Sequence, residues 1–428
     1  MAVGLLARLV LIWRVGGTPA GALSGGSDAP AYILLGNAIA HGKGLTYVGQ
    51  PTALRAPLYP LMLGFLDRLF GSYSLLVMRF VQFIAAVLTA FFCAETAAQL
   101  WGRNSKWTTF AFTLFMPTLL FFTPQILTET FTACFVSLFL YFLVQARSKE
   151  SWMPLVAMGT CAGILMLLRF NAIFLPVVIV GAAFQISTRS ISTRRAIVPL
   201  VVAALIVCPW VIRNAIVFHG GILYSSQTGL TALQGVLSPA GRTQPWESDT
   251  WKRAGWWLSD VETDNPIRLQ FPSEVELNRQ AKYQAYLAWK SEGFHVFRLL
   301  TKKVCYFWLS TDQLLETSSF PRSQRILRAA GVFFYWGTLA VAILGWLRLR
   351  TATPRIANLL WLYCVAATVL HLPFTMNTRL RVPLIDPILC ILVGGELAAV
   401  FVGARVFTPK PESQDRSDRL YDSTTLDR

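Results

Sequence analysis

Residues 123–145 read TPQILTETFTACFVSLFLYFLVQ, with Glu129 as the one charged side chain. Wound as a helix at about 1.5 Å per residue, Gln125–Gln145 covers about 30 Å, the thickness of a bilayer's hydrocarbon core. The run is therefore long enough to cross a membrane, and the rest of the chain decides whether it does. Of 428 residues, 54% are hydrophobic and only 14% charged, against about a quarter charged in soluble domains. Runs of similar character lie near 3–23, 76–100, 107–122, 152–168, 171–187, 196–213, 327–347, 356–373 and 383–403. With 125–145 they predict an all-α polytopic membrane protein of about ten transmembrane helices. The first run is the weakest, because Arg8 and Arg14 would each cost about 2.5–3.5 kcal/mol at the bilayer centre.

Lysine and arginine outnumber aspartate and glutamate by 38 to 22. The basic residues form short clusters between apolar runs, a distribution that fits membrane topology and argues against a nucleic-acid partner. The clusters WGRNSK, RSKES, STRSISTRR, RLRTATPR and ARVFTPK fall on one side by alternation, the cytoplasmic side under the positive-inside rule. The same alternation places loop 24–75, segment 214–325 and the turn PFTMNTRLR on the exoplasmic side. Residues 1–405 then form the membrane domain, and 406–428 a polar cytoplasmic tail, expected to be disordered. Within the outer loops, APLYPLMLGFLDRLFG reads as an interfacial helix, PSEVELNRQAKYQAYLAWKSEG as a helix, and HVFRLLTKKVCYFWLSTDQ as a segment lying on the membrane.

The seven cysteines stand singly with no CxxC pair and read as small core residues. The stretch DVETDN, residues 260–265, alternates carboxylates but lacks the glycine and final glutamate of a calcium loop. No metal ligands are assigned and no cofactor is expected, a divalent metal finding only that support.

Charges at membrane depth are costly enough to be functional candidates. Near the outer helix ends these are Glu129, Arg169, Arg213, Arg379 and Arg381. Glu129 has no basic residue at helical spacing, so any partner comes from another helix. It either bonds hydroxyls such as those of Thr128 and Thr130 or walls a polar cavity. Arg169 and Arg213 either snorkel to headgroups or join that cavity. Arg379 and Arg381, with Arg55 in the first loop, supply guanidinium groups suited to phosphate; Lys302 and Lys303 are further candidates. Asp28, in SGGSDAPAYILLGNAIAHGKG, fits two roles: the N-cap of a helix with Pro30 in its first turn, or a general base accepting a hydroxyl proton.

The stretches SDAPAYILLGNAIAHGKG with PTALRAPLYPLMLGFLDRLFG, then PWVIRNAIVFHGGILYSSQTGLTALQG, and finally RLRVPLIDPILCILVGG follow one another as in GT-C membrane glycosyltransferases. They resemble the branch of bacterial proteins similar to dolichyl-phosphate-mannose protein mannosyltransferases and lipid A aminoarabinose transferases. That resemblance implies a GT-C-like fold in a bacterial inner membrane. It also implies transfer, with inversion, of a sugar from a polyprenyl-phosphate donor to a hydroxyl of a lipid, glycan or protein acceptor on the exoplasmic face. Asp28 matches the family's first-loop acid, taken as the base; Ala29 and Pro30 follow it where many relatives carry a second acid. Arg55 matches the arginine before the Pro-Leu-Tyr-Pro element that contains Tyr59, Glu129 the acid of a later span, Arg213 and Asn214 the RN pair, and Arg381 the arginine near the last span. Two rivals stand beside that reading: a transporter or flippase of lipid-linked sugars, which would use the same cations without a base, and a non-catalytic envelope assembly protein whose polar pocket has decayed and whose outer-face arginines would be dispersed.

Overall fold

The computed structural model describes residues 2–16, 28–47, 49–148, 151–186, 193–237, 273–310, 323–376 and 378–406. Apart from a two-stranded hairpin, Thr46–Tyr47 with Gln50–Pro51, the regular structure in these residues is helical. In chain order the helices are α1 (Ala2–Val15), α2 (Ala29–Ala40), α3 (Leu58–Phe70), α4 (Ser74–Trp101), α5 (Ser105–Phe115), α6 (Pro117–Phe122), α7 (Glu129–Ser148) and α8 (Met153–Leu168). They continue as α9 (Leu175–Ile186), α10 (Thr193–Val217), α11 (Thr228–Leu237), α12 (Glu274–Glu292), α13 (His295–Leu309), α14 (Ser323–Ala352), α15 (Pro354–His371) and α16 (Thr378–Phe401). Among the described residues, five stretches are long and apolar enough to cross a membrane on their own: Leu58–Trp101, Glu129–Ala146, Ala196–Val217, Ala330–Ala352 and Thr378–Phe401.

Over the described residues each of the ten apolar runs falls on a helix or helix pair, with two departures: run 125–145 becomes helical only at Glu129, residues 125–128 forming bends ahead of α7, and run 107–122 is interrupted. Run 107–122 is broken at Met116, whose ψ of 112° follows from the clash between a proline ring and an α-helical residue before it. The first run is described to Gly16, and its helix, Ala2–Val15, rises about 21 Å. Arg8 is tolerated there because it is buried against α5 and donates to the Leu114 carbonyl oxygen.

Helix α16 runs through the middle of the bundle, and nearly every side chain from Val382 to Glu396 is buried. Close approach uses small residues, since lipid supplies no hydrophobic drive between helices. A Cβ on Gly395 would lie 2.4 Å from the Trp101 ring. Gly159 and Gly163, one turn apart on α8, admit α10: a Cβ on the first would lie 2.5 Å from the Pro199 carbonyl oxygen, and on the second 2.8 Å from Ile206 Cβ.

The two ends of the bundle differ. At one, Lys106 pairs with Glu95 and Arg348 with Glu396 (3.0 Å). At the other, helices α2, α3, α11, α12 and α13 form a cap. Helix α12 is N-capped by Ser273, whose Oγ accepts from the Glu276 N–H, 3.2 Å, and it packs on α11 through Leu233, Leu277 and Ala285. Helix α13 buries Leu299, Lys303 and Phe307 at four-residue spacing, leaving Phe294, Phe297 and Leu309 exposed, the pattern of a helix lying on a membrane surface. The sequences 238–272, with DVETDN, and 407–428, with most of the polar tail, lie outside the described residues.

Candidate active site

Under the cap, segments far apart in sequence bring five charged side chains together. Asp28 precedes α2 in helical conformation with a proline in the first turn, but its side chain makes no capping hydrogen bond. The carboxylate instead accepts from Arg55 Nη2 at Oδ1 (2.5 Å) and lies 2.9 Å from Arg379 Nη2 at Oδ2. Of its two sequence readings, the cap is thus set aside: the two guanidinium groups outcompete the helix's own N–H groups for the carboxylate. Arg379, in the first turn of α16, also donates from Nε to Glu129 Oε1. Glu129 opens α7 and is 1% exposed; Arg169, just past the end of α8, lies 3.3 Å from the same oxygen. Glu129 therefore finds its partners on other elements, and Arg169 turns inward rather than toward headgroups. Glu129 Oε2 has no hydrogen-bond partner among the described residues.

Arg55 is held from its far side by Gln227 Oε1, which accepts from Nη1 at 3.1 Å, and its guanidinium faces the Tyr32 ring at 5.8 Å. Gln227 lies within SSQTGL, just before α11, and only the fold shows that it reaches the first loop. Three guanidinium groups against two carboxylates leave one positive charge in excess. Burial alone would raise the Asp28 carboxyl, but Arg55, Arg379 and Arg169 together hold it well below the usual carboxylate range. A site of this kind can receive one further anionic charge and keeps its acid ionised.

The other candidates lie elsewhere. Arg381, two residues past Arg379, turns away from the cluster. It is fully buried, donates from Nη1 to the carbonyl oxygens of Phe307 and Ser310 (both 3.1 Å), lies 3.5 Å from Asp386 and stacks 4.0 Å from the Tyr335 ring centre. Arg379 and Arg381 thus form no shared fork; Arg381 clamps the end of α13 to the bundle. Arg213 donates to the carbonyl oxygens of Thr52 (3.0 Å) and Leu45 (3.1 Å), and Asn214 donates to that of Leu223 (3.2 Å), so this pair ties the loops to α10. Tyr59 is buried and donates to Gln82 Oε1, 2.8 Å, while its ring packs on Tyr32 with centres 5.0 Å apart. Lys302 is exposed. Lys303 is buried, donates to the Leu372 carbonyl oxygen at 2.5 Å and faces the Trp289 ring; burial pushes its ammonium down to about 7. Among the described residues no three histidine, cysteine or carboxylate side chains gather in a metal-binding group.

This almost wholly helical bundle, capped at one end by short helices, shares its fold with a solved archaeal oligosaccharyltransferase. Residues 54–212, a little over a third of the chain, match the family described as dolichyl-phosphate-mannose-protein mannosyltransferase. The match includes Arg55, Tyr59, Glu129 and Arg169. Among solved structures, the oligosaccharyltransferase of Archaeoglobus fulgidus in complex with Zn and sulfate is 13% identical with a TM-score of 0.54, over 94% of this chain and 49% of that one. The same archaeal enzyme, AglB, in complex with an inhibitory peptide and a dolichol-phosphate gives 12% and 0.54, over 94% and 50%. ArnT from Cupriavidus metallidurans bound to undecaprenyl phosphate is 16% identical with a TM-score of 0.41, over 92% and 76%. The chain spans about half the length of the archaeal enzyme it matches. No curated protein matches it in sequence.

Proposed function

We propose that the chain is a GT-C glycosyltransferase that moves a sugar from a polyprenyl-phosphate carrier to a hydroxyl acceptor at the cap end of the bundle, on the exoplasmic side. The convergence of Asp28, Arg55, Glu129, Arg169 and Arg379 at that end carries the reading, and the family match supports it. The acceptor oxygen attacks the anomeric carbon from the face opposite the phosphate, and its proton passes to Asp28. The glycosidic C–O bond forms as the bond from that carbon to the phosphate oxygen breaks, and the electron pair leaves with the carrier phosphate. That phosphate gains negative charge as it departs, so preorganised guanidinium groups at Arg55 and Arg379 favour the transition state over the ground state. Glu129 acts one step back: it holds Arg379 in place from a buried position.

The test is Asp28→Asn in the full chain, supplied with a polyprenyl-phosphate sugar. Product formation should fall by about 10²–10⁴-fold, the usual worth of a general base, while carrier binding persists. Retained product formation would remove Asp28 as the base; transport of the lipid-linked sugar unaffected by the substitution would favour a carrier instead. Sidedness is tested separately by Gln50→Cys in a background lacking Cys208 and Cys305. The new thiol, in the exposed hairpin, should react with an impermeant reagent from outside the cell.

A further inference from the structure

Both oxygens of Asp28 are taken by guanidinium groups, Oδ1 by Arg55 and Oδ2 by Arg379. A carboxylate so occupied is poorly placed to receive a proton from a hydroxyl. The two arginines are not held alike. Arg379 has a second anionic anchor, the almost fully buried Glu129. Arg55 comes from the first loop, and its second anchor is the neutral amide of Gln227. A second carboxylate adds a full Coulomb attraction to a guanidinium that a neutral amide oxygen does not. An entering phosphate therefore draws Arg55 away at lower cost than Arg379.

We propose that Arg55 is a latch on Asp28: in the empty site it covers the carboxylate, and the donor's phosphate takes it over, freeing Oδ1 for the acceptor hydroxyl. This rests on the transferase reading. Gln227 is then a positioning residue, keeping the guanidinium within reach of both partners through Nη1 while Nη2 changes from carboxylate to phosphate. Binding is ordered as a consequence, donor before acceptor, because the base is exposed only once the phosphate has arrived. Asp28 and the phosphate compete for one guanidinium group, so removing the charge on Asp28 strengthens the hold on the carrier, whereas a carboxylate that merely oriented Arg55 for phosphate would weaken it when removed.

The experiment measures binding of undecaprenyl phosphate to the full chain in detergent for the native protein, Asp28→Asn, Arg55→Gln, the double variant and Asp28→Glu. Asp28→Asn should bind about tenfold more tightly and Arg55→Gln about tenfold more weakly, the scale of one charge-assisted hydrogen bond. The double variant should match Arg55→Gln, and Asp28→Glu, which restores the competing charge, should return toward native affinity. The latch is overturned if Asp28→Asn binds no more tightly than the native chain, or if it gains the same factor in the Arg55→Gln background, where the gain would be general charge removal. Should Asp28→Asn fail to fold, the comparison of Asp28→Glu with Asp28→Glu/Arg55→Gln carries the test, and a change of less than twofold between them overturns the latch. Absence of binding by the native chain itself would overturn the transferase reading, a result distinct from either of these.

Discussion

Replacing Glu129 with glutamine removes the negative charge held between Arg379 and Arg169 while keeping the side chain's shape. The carboxylate is 1% exposed and Arg169 10%, so solvent screens this pair little. At 3.3 Å and an effective dielectric constant near 20, their attraction is about 5 kcal/mol before desolvation is counted. The desolvation already incurred by both charges offsets part of it. Removing one partner of a buried pair nonetheless costs about 3–5 kcal/mol, because the remaining charge stays buried without compensation. Arg379 keeps Asp28 as a partner, which lowers the expected loss to about 2–3 kcal/mol. Thermal unfolding of the detergent-solubilised chain reads the effect as a lower midpoint. Arg169→Gln added to Glu129→Gln restores the balance of charge, so the double variant should regain at least about 1 kcal/mol over the sum of the single losses. Equal stability of Glu129→Gln and the native chain, or strict additivity in the double variant, would refute the claim that this carboxylate pins the cluster.

Arg381→Met strands the buried carboxylate of Asp386 and should cost about 3–5 kcal/mol in the same unfolding assay, with carrier affinity changed by less than about twofold; adding Asp386→Leu should recover most of the loss. Gly163→Val forces methyl groups into a contact where a Cβ already lies 2.8 Å from Ile206 Cβ, and should cost about 1–3 kcal/mol. It should also weaken carrier binding, since α8 ends one residue before Arg169. The depressed Asp28 carboxyl contributes stability that is fully present above its unfolded value, about pH 4, and is lost as pH falls through the lower folded value. The stability gap between the native chain and Asp28→Asn should therefore stay flat from about pH 7 to pH 5 and narrow only below about pH 4; narrowing in the higher range would contradict the pairing.

Length and apolarity made the membrane helices legible, because hydrocarbon thickness sets a minimum run and that minimum can be counted along a chain. Met116–Pro117 was legible in principle too: a proline's effect on the residue before it is local. The site was legible only as an inventory. Expense at membrane depth singles out Glu129, Arg169 and Arg379, yet it singles out Arg381 with equal force, and the two arginines near the last span differ only in direction. Two residues along a helix is a rotation of about 200°, so Arg379 faces Asp28 and Glu129 while Arg381 faces Asp386 and Tyr335. Gln227 carried no signal, because a neutral amide in a loop costs nothing to leave in water.

The amino-acid sequence by itself determined that this chain lies in a membrane, roughly where its helices run, and that arginines outnumber acids near one set of helix ends. Those properties depend on the transfer free energies of single side chains, which do not need neighbours to be known. Only the tertiary structure decided that Asp28 pairs with Arg55 and Arg379 rather than capping its own helix, that Glu129 is shared by Arg379 and Arg169, and that Arg213, Lys303 and Arg381 serve as ties for the cap. Pairing between charges falls off over a few ångströms, so it is settled by which segments pack together, and the partners here stand as far apart in the chain as Asp28 and Arg379.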